Sequence, residues 1–180
     1  CIFLRDMKLL MKDQVRSEIN NNIVETKITS SKSASTYLGE PDRKEKQNII
    51  INSEKFLVYP VELGNYHAVI VNSNLSQKKF SQIAPEIVKS EVFSSVPNLH
   101  CLTVKDDHTL EIISYEKGSG LTLACGSGSI VSAAVARKLN KLKNRLTVKS
   151  LGGSCHISID ENKYFLEVKI KKNFHGEFRI

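Results

Sequence analysis

The pattern of hydrophobic and polar positions along the chain predicts many short strands and few helices. Residues 1–13 carry apolar side chains at three- and four-residue spacings, which predicts a helix, and residues 23–28 alternate as a strand does. The polar residues 29–35 predict a loop or a hairpin crossing. Further helices are predicted at 75–89 and 129–142. Further strands are predicted at 48–51, 56–63, 68–71, 99–104, 110–115, 146–150, 156–159, 165–170 and 176–180.

Many strands with three helices predict an α+β protein rather than a regular alternation of strands and helices. The turn-prone Gly39-Glu40-Pro41, followed by the charged residues 42–47, predicts a boundary between two lobes. A helix followed by a strand is predicted near the start of the chain and again from residue 129. This faint echo is compatible with two related lobes.

The composition is that of an ordinary globular protein, with 180 residues of which 41% are hydrophobic and 25% charged. The sequence has no run of about 18 apolar residues of the kind that spans a membrane, and it shows no signal peptide. We therefore expect a cytoplasmic protein without a membrane partner. The net charge of +7 is expected to serve mainly solvation, with some attraction for anionic small molecules.

The cysteines are widely separated, which argues against a metal centre and against a disulfide framework. No Cys-x-x-Cys spacing occurs, and the five histidines do not complete a zinc ligand set. We expect isolated thiols and no metal. The four cysteines are Cys1, Cys101, Cys125 and Cys155.

The most informative local pattern surrounds Cys125, where glycines and serines follow the cysteine and the apolar helix predicted from Ser129 begins at once. The free N–H groups and positive dipole end of a helix start stabilise a thiolate, so the pattern favours a base or nucleophile at position 125. The same N–H groups are able to hold a substrate carboxylate. The alternative is a buried structural cysteine beside a helix cap, and the local pattern leaves both interpretations open.

Three shorter motifs add polar groups at turns and strand ends. Gly64-Asn65-Tyr66-His67 lies between two apolar runs and predicts a turn that presents an amide and an imidazole. Asn98 precedes a predicted strand, and Glu116-Lys117-Gly118 follows one. Turn asparagines and strand-end charges are common, so none of these motifs indicates catalysis by itself.

Taken in order along the chain, these motifs resemble the diaminopimelate epimerase family. The resemblance extends over nearly the whole chain, and the segment around Cys125 is its most specific part. It rests on Leu38-Gly39-Glu40-Pro41, Gly64-Asn65-Tyr66-His67, the segment from Phe93 to Asn98, Glu116-Lys117-Gly118-Ser119-Gly120-Leu121-Thr122-Leu123-Ala124-Cys125-Gly126-Ser127-Gly128, and Gly152-Gly153-Ser154.

The resemblance implies a fold of two pseudo-symmetric lobes, each with a curved mixed sheet or barrel around a central helix. Residues 44–170 would form the C-terminal lobe, and residues 1–43, with 171–180 returning to them, would be the remnant of an incomplete N-terminal lobe. The active site would lie in the cleft between the lobes, as ligand sites often do.

The resemblance also implies a reaction. The family converts LL-diaminopimelate to the meso form in lysine biosynthesis without a cofactor or metal, using one cysteine thiolate and one cysteine thiol on opposite faces of the α-carbon. Cys125 would be one of these two cysteines. The substrate-binding residues would be Asn65, Asn98 and Lys117 for the distal amino-acid group, Glu116 for the ammonium, Gly126 and Ser127 at the helix start for the reacting carboxylate, and His67 in support.

The sequence departs from the family's pattern in several places. The motif Cys-Gly-Asn-Gly-x-Arg, which carries the first catalytic cysteine, does not occur, so we expect a fragment that is inactive alone. Lys117 replaces an arginine and so lacks the planar fork that grips a carboxylate. Leu121 replaces a glutamate, Tyr66 replaces a proline, and Val168-Lys169-Ile170 stands where the family has Gly-x-Ala.

Other functions remain as alternatives. A related isomerase of the same fold group, similar to proline racemase or to phenazine-biosynthesis proteins, is one, and a degenerate relative that only binds its ligand is another. A nucleic-acid-binding module is a third, based on the basic residues of 137–149, but no aromatic platform is interleaved with them. We expect a small-molecule substrate and no nucleic-acid partner, and apolar surface left by the missing segment would favour oligomers such as a homodimer.

Overall fold

The protein's structure, a computed structural model, describes residues 11–19, 22–170 and 176. Within these residues the chain forms thirteen strands and two helices. The strands are β1 (Gln14–Ile19), β2 (Asn22–Ser30), β3 (Ser33–Tyr37), β4 (Asp42–Arg43), β5 (Gln47–Ile51), β6 (Glu54–Leu63), β7 (Asn65–Val71), β8 (Asn98–Val104), β9 (Thr109–Glu116), β10 (Gly120–Thr122), β11 (Arg145–Ser150), β12 (Gly153–Asp160) and β13 (Lys163–Lys169). The helices are α1 (Gln77–Ile87) and α2 (Gly126–Leu139).

All the strands belong to one mixed sheet. Its order is β1-β2-β3-β13-β12-β11-β9-β8-β7-β6-β4, with β10 paired to β9 and β5 paired to β6. The β7–β8 and β9–β11 pairs are parallel and the other pairs are antiparallel. In the part of the chain that is described, the two ends of this order do not pair, so the sheet stays open.

The centre of the sheet is buried on both faces. On β7, Val69 points towards one apolar cluster, whereas Ala68 and Ile70 point towards the other, as the alternation of a strand requires. The first cluster contains α2, whose residues from Gly128 to Ala136 are all buried. The second contains α1, which contributes Phe80, Ile83 and Ile87. This part of α2 is thus buried around its whole circumference, and its sequence of apolar and small residues has no polar face.

The α+β class and most of the predicted elements are confirmed. Both described helices and the predicted strands from residue 48 to residue 170 lie where the pattern placed them, within a few residues at each end. The polar segment 29–35 contains a hairpin turn, with β2 continuing to Ser30 and β3 starting at Ser33. The predicted last strand, 176–180, lies outside the described residues except for Gly176, which is not in a strand.

The N-terminal region holds the largest difference from prediction. Residues 1–10 of the predicted helix lie outside the described part, and residues 11–13 are not helical. Strands β1 and β3 were not predicted. Both are rich in polar and small residues, and they form because each is hydrogen-bonded to β2, with β3 also paired to β13.

The proposed lobe boundary falls between β3 and β4, where Gly39 has a φ of 116°. Strand β13 pairs with β12 on one side and with β3 on the other, so it joins the two segments of the sequence in one sheet. The division into two lobes stays a prediction. Neither α1 nor α2 is long and apolar enough to cross a membrane, and no other helix occurs among the described residues.

Candidate active site

Cys125 is the N-cap of α2. Its backbone is extended, with φ −136° and ψ 115°, and its sulfur accepts a hydrogen bond from the backbone N–H of Gly128 at 3.4 Å. The Ser129 hydroxyl donates to the Cys125 carbonyl oxygen at 2.9 Å. The Cys125 side chain therefore accepts the N-cap hydrogen bond that a serine or aspartate side chain accepts at most helix starts. This bond fixes the sulfur at the positive end of the helix.

Glu116 is the second polar group at this point. The Cys125 thiol donates to Glu116 Oε2 at 3.2 Å, and the Thr122 hydroxyl donates to Glu116 Oε1 at 2.6 Å. The chain turns back between β9 and β10 through Gly118 and Gly120, which both have positive φ values that glycine adopts without strain. This tight turn is what brings Thr122 and Cys125 onto the carboxylate at the end of β9.

The surroundings of Cys125 favour the thiol over the thiolate. Burial raises the pKa of Cys125 to about 11, and the neighbouring Glu116 carboxylate adds to this, while hydrogen bonds from Ser127 and Gly128 oppose it. The sequence-based expectation of a stabilised thiolate is therefore wrong for the structure as it stands. Its physical reason is that the side chain is only 7% exposed and its nearest charge is negative.

A cavity of about 170 Å³ opens beside Cys125. Its other wall is the Gly152-Gly153-Ser154 segment, which lies close because the Gly152 N–H donates to the Leu123 carbonyl oxygen at 2.6 Å. A Cβ atom at Gly152 would lie 3.1 Å from Leu123, so a side chain there would push the segment away from the cysteine. The cavity is lined by Ala124, Cys125, Gly126, Ser129, Ser150, Gly152, Gly153, Ser154, Cys155, Leu166, Val168 and Lys169.

A second, more polar cavity of about 490 Å³ lies at the other side of Glu116. Asn98 Oδ1 accepts a hydrogen bond from the Lys117 backbone N–H at 3.0 Å, which leaves the Asn98 amide N–H groups to act as donors. Three predicted recognition residues, Asn65, Asn98 and Lys117, thus line one cavity together with Glu116. The full lining is Gly64, Asn65, Tyr66, Ser95, Val96, Asn98, Glu116, Lys117 and Ser119.

His67 does not lie in the turn that the sequence analysis predicted. The turn is at Gly64, and His67 is inside β7, fully buried, where its Nδ1 lies 3.0 Å from His100 Nε2. His100 Nδ1 in turn lies 2.9 Å from the Ser114 hydroxyl. Burial lowers the pKa of His67 to about 4 and that of His100 to about 3, so both rings are neutral near pH 7.

His100 and Ser114 were missed by the sequence analysis. Each is a polar residue on the face of its strand that points towards α2, in a position where the alternation calls for an apolar one. Two such interruptions on neighbouring strands are the signal that would have identified them.

The other clusters of polar side chains give weaker indications of a functional site. Asp106, Asp107 and His108 form the one described group of three side chains able to hold a metal ion, but all three are exposed and Asp107 pairs with Lys143. Several members of the basic stretch 137–149 are engaged with neighbours in the same way, including Arg137 with Asn144 and Arg145 with Glu167. These pairs leave the stretch as an ordinary solvated surface.

The sequence model described as diaminopimelate epimerase matches residues 59–172. The chain belongs to the diaminopimelate epimerase family. It is 28% identical over 163 residues to the diaminopimelate epimerase of Caldanaerobacter subterraneus subsp. tengcongensis, covering 83% of this chain and 60% of that protein. It is 33% identical over 139 residues to that of Methanococcus aeolicus, covering 74% of this chain and 46% of that protein. The chain therefore spans about half of the length of these relatives.

Solved structures with this fold confirm the architecture. A hydroxyproline epimerase from Agrobacterium vitis superposes with a TM-score of 0.69 at 10% identity, over 94% of this chain and 61% of the other. A PhzF-family protein from Bacillus anthracis gives a TM-score of 0.57 at 14% identity, over 94% of this chain and 71% of the other. At such identities the likeness concerns the fold alone.

Replacing Gly128 with alanine tests the close approach of α2 to the sheet. A Cβ atom at this position would lie 2.8 Å from both ring nitrogens of His100, and the ring is held between helix and strand, so we expect Gly128→Ala to lower the free energy of unfolding by about 1–3 kcal/mol. Ser132→Ala on the same helix adds no atoms and removes a buried hydroxyl that has no hydrogen-bond partner among the described residues, so it should be close to neutral. Urea unfolding of both variants measures the change in the free energy of unfolding. A Gly128→Ala protein that is as stable as the unmodified chain would contradict this close contact.

The state of Cys125 is testable by alkylation. With its pKa raised to about 11, the thiol should react with iodoacetamide at pH 8 more slowly than it does in the unfolded chain. Glu116→Gln removes the negative charge and should lower this pKa and speed the reaction. Glu111→Gln, a change on the same strand at a half-buried side chain that pairs with Lys105, is the control and should have no effect. Mass spectrometry of the peptide that contains Cys125 gives the rates, and equal rates for Glu116→Gln and Glu111→Gln would show that Glu116 does not influence the thiol.

Proposed function

We propose that this chain carries one half of the catalytic apparatus of an amino-acid epimerase that converts LL-diaminopimelate to meso-diaminopimelate without a cofactor. The observation that supports this best is the buried Cys125 thiol, held at the start of α2 and hydrogen-bonded to Glu116 between two cavities. On this proposal residues 44–170 form the lobe that carries Cys125, and the reaction belongs to lysine biosynthesis in the cytoplasm.

The chemistry follows from the protonation state of Cys125. A base on one face of the α-carbon removes its proton, and the Cys125 S–H gives its proton to the other face, leaving a Cys125 thiolate. The reverse reaction uses the same groups with their roles exchanged. A thiol kept protonated by its surroundings is suited to the donating step. On this proposal the backbone N–H groups of Gly126 and Ser127, in the first turn of α2, stabilise the negative charge that spreads onto the substrate carboxylate.

The second cavity is suited to the distal end of diaminopimelate, which carries an ammonium and a carboxylate. Asn98 offers amide N–H donors and Lys117 an ammonium for the carboxylate, while Glu116 supplies negative charge for an ammonium group. Lys117 acts as a point charge where the family's arginine would form two parallel hydrogen bonds, so its hold on the carboxylate is less directional.

The related proline-type isomerases are the alternative reaction class, because two fold relatives are named as a hydroxyproline epimerase and a probable proline racemase. Proline has no distal charged group. A polar second cavity lined by Asn65, Asn98 and Lys117 therefore favours a substrate with two amino-acid ends over an imino acid.

Loss of Cys125 should remove the activity. The mechanism needs a second acid–base group, and the family's Cys-Gly-Asn-Gly-x-Arg motif is absent from the 180 residues, so the assay should use the complete translated product of the gene. In heavy water, Cys125→Ala should slow deuterium incorporation at the α-carbon of diaminopimelate by about 10²- to 10⁴-fold. Cys101→Ala, a buried thiol on the opposite face of the sheet, is the control. Unchanged exchange in Cys125→Ala would refute a thiol mechanism.

Ligand selectivity tests the second cavity separately. Diaminopimelate and L-lysine differ by the distal carboxylate, so the 180-residue chain should bind diaminopimelate more tightly in a calorimetric titration. Lys117→Ala should weaken diaminopimelate binding about tenfold or more and leave lysine binding unchanged, because only diaminopimelate offers the carboxylate. Lys138→Ala, at the end of α2 away from this cavity, is the matched control. Equal affinity for the two ligands would contradict the assignment.

A further inference from the structure

Three polar side chains form a buried chain on the face of the sheet that α2 covers. His67, His100 and Ser114 lie on the neighbouring strands β7, β8 and β9, and His100 is directly opposite Ser114 in the register. The three residues are 0%, 0% and 2% exposed. The hydrogen bonds between them join Ser114 Oγ to His100 Nδ1 at 2.9 Å and His100 Nε2 to His67 Nδ1 at 3.0 Å.

The geometry of this chain is fixed by packing. The two imidazole rings are stacked, with centroids 5.3 Å apart and planes 27° from parallel. The His100 ring also lies against Gly128 in the first turn of α2, with no room for a side chain between them. His100 therefore cannot turn away without moving the helix that carries Cys125.

The chain ends at His67 Nε2. This atom is buried and has no hydrogen-bond partner among the described residues. The charge of Glu116 is close enough to oppose the effect of burial on the His67 pKa. The His67 ring is thus in the electrostatic field of the Glu116 carboxylate, which also accepts the hydrogen bond of Cys125.

The hydrogen bonds along this chain can run in two directions, because a neutral imidazole has one N–H and one bare nitrogen. In the first, His67 donates to His100 and His100 donates to Ser114. The Ser114 hydroxyl hydrogen then has no recorded acceptor in the described part of the chain, and His67 Nε2 is a bare lone pair. In the second, Ser114 donates to His100 and His100 donates to His67, so both of these hydrogens have acceptors and His67 carries its hydrogen on Nε2.

The second arrangement is favoured for two reasons. It satisfies the buried hydroxyl donor of Ser114, and an unsatisfied buried donor costs about 1–3 kcal/mol. It also gives the ring an N–H rather than a lone pair at its free end, which the negative charge of Glu116 stabilises.

We propose that His100 is a positioning residue that, together with Ser114, holds His67 as the Nε2–H tautomer, so that a buried N–H rather than a bare nitrogen stands at the free end of this chain of three side chains. This tautomer does not depend on the function proposed above. His100 acts only through His67 and needs no contact with the ligand.

Nitrogen-15 NMR of the histidine-labelled chain decides the tautomer without any ligand. At pH 7 we expect His67 to show a protonated, pyrrole-type Nε2 and a bare, pyridine-type Nδ1. The opposite assignment, or a charged ring at pH 7, would overturn the proposal. The NMR measurement does not depend on turnover. Failure of the epimerase assay would therefore not affect the tautomer assignment, and a wrong tautomer would not affect the proposed reaction.

Variants test whether Ser114 and His100 set the tautomer. Ser114→Thr keeps the hydroxyl and should keep the His67 spectrum. Ser114→Ala removes it, and the two His67 nitrogen shifts should move towards each other as the second tautomer becomes populated. His100→Gln retains an amide donor for His67 Nδ1 and should preserve the spectrum, whereas His100→Leu should not. Thermal unfolding of each variant checks that it is folded, and a His67 spectrum unchanged in both Ser114→Ala and His100→Leu would refute the positioning role.

Discussion

The close approach of the first turn of α2 to the sheet is the constraint on which the site depends. Gly128 leaves no space between the helix and the His100 ring, and a Cβ atom at Gly126 would lie 2.9 Å from Leu166. Gly128 therefore lets the helix start against β8 at a distance that a residue with a side chain would prevent, whereas the Leu166 side chain could shift to accommodate a side chain at position 126. Cys125, which caps this turn, is placed beside Glu116 as a consequence.

Burial decides the chemistry of that cysteine. Raising the pKa from 9.0 to about 11 adds about 3 kcal/mol to the preference for the thiol over the thiolate. The start of a helix typically contributes about 0.3–1 kcal/mol in the opposite direction. The helix therefore orients the sulfur and is ready to stabilise charge on a bound carboxylate, but it does not ionise the thiol against burial and the Glu116 carboxylate. A substrate ammonium that neutralised Glu116 would shift this balance towards the thiolate.

The sequence predicted what depends on local pattern. The strands from β5 onward apart from β10, the two helices and the cysteine at a helix start follow from alternation, periodicity and glycine placement. Strand β3 pairs with β13, which lies far away in the sequence, and β1 is held by its hairpin with β2 although its own residues show little apolar alternation. The motif Gly64-Asn65-Tyr66-His67 was interpreted as a turn, yet only Gly64 turns, because the β6–β7 hairpin is tight and pairing resumes at Asn65. The environments of His67 and Cys125 could not be predicted, since both depend on which side chains other strands bring to them.

The pairing of β13 with β3 has a consequence for folding. Phe165 lies opposite Tyr37 and Lys169 opposite Ser33, so this ladder joins residues that are far apart in the sequence. Contacts of such long range bear a large loop-closure entropy and form slowly compared with local hairpins. The β3–β13 ladder is thus expected to form after the local hairpins. Because Val168 and Lys169 also line the cavity beside Cys125, that cavity would acquire its final shape only in this last step.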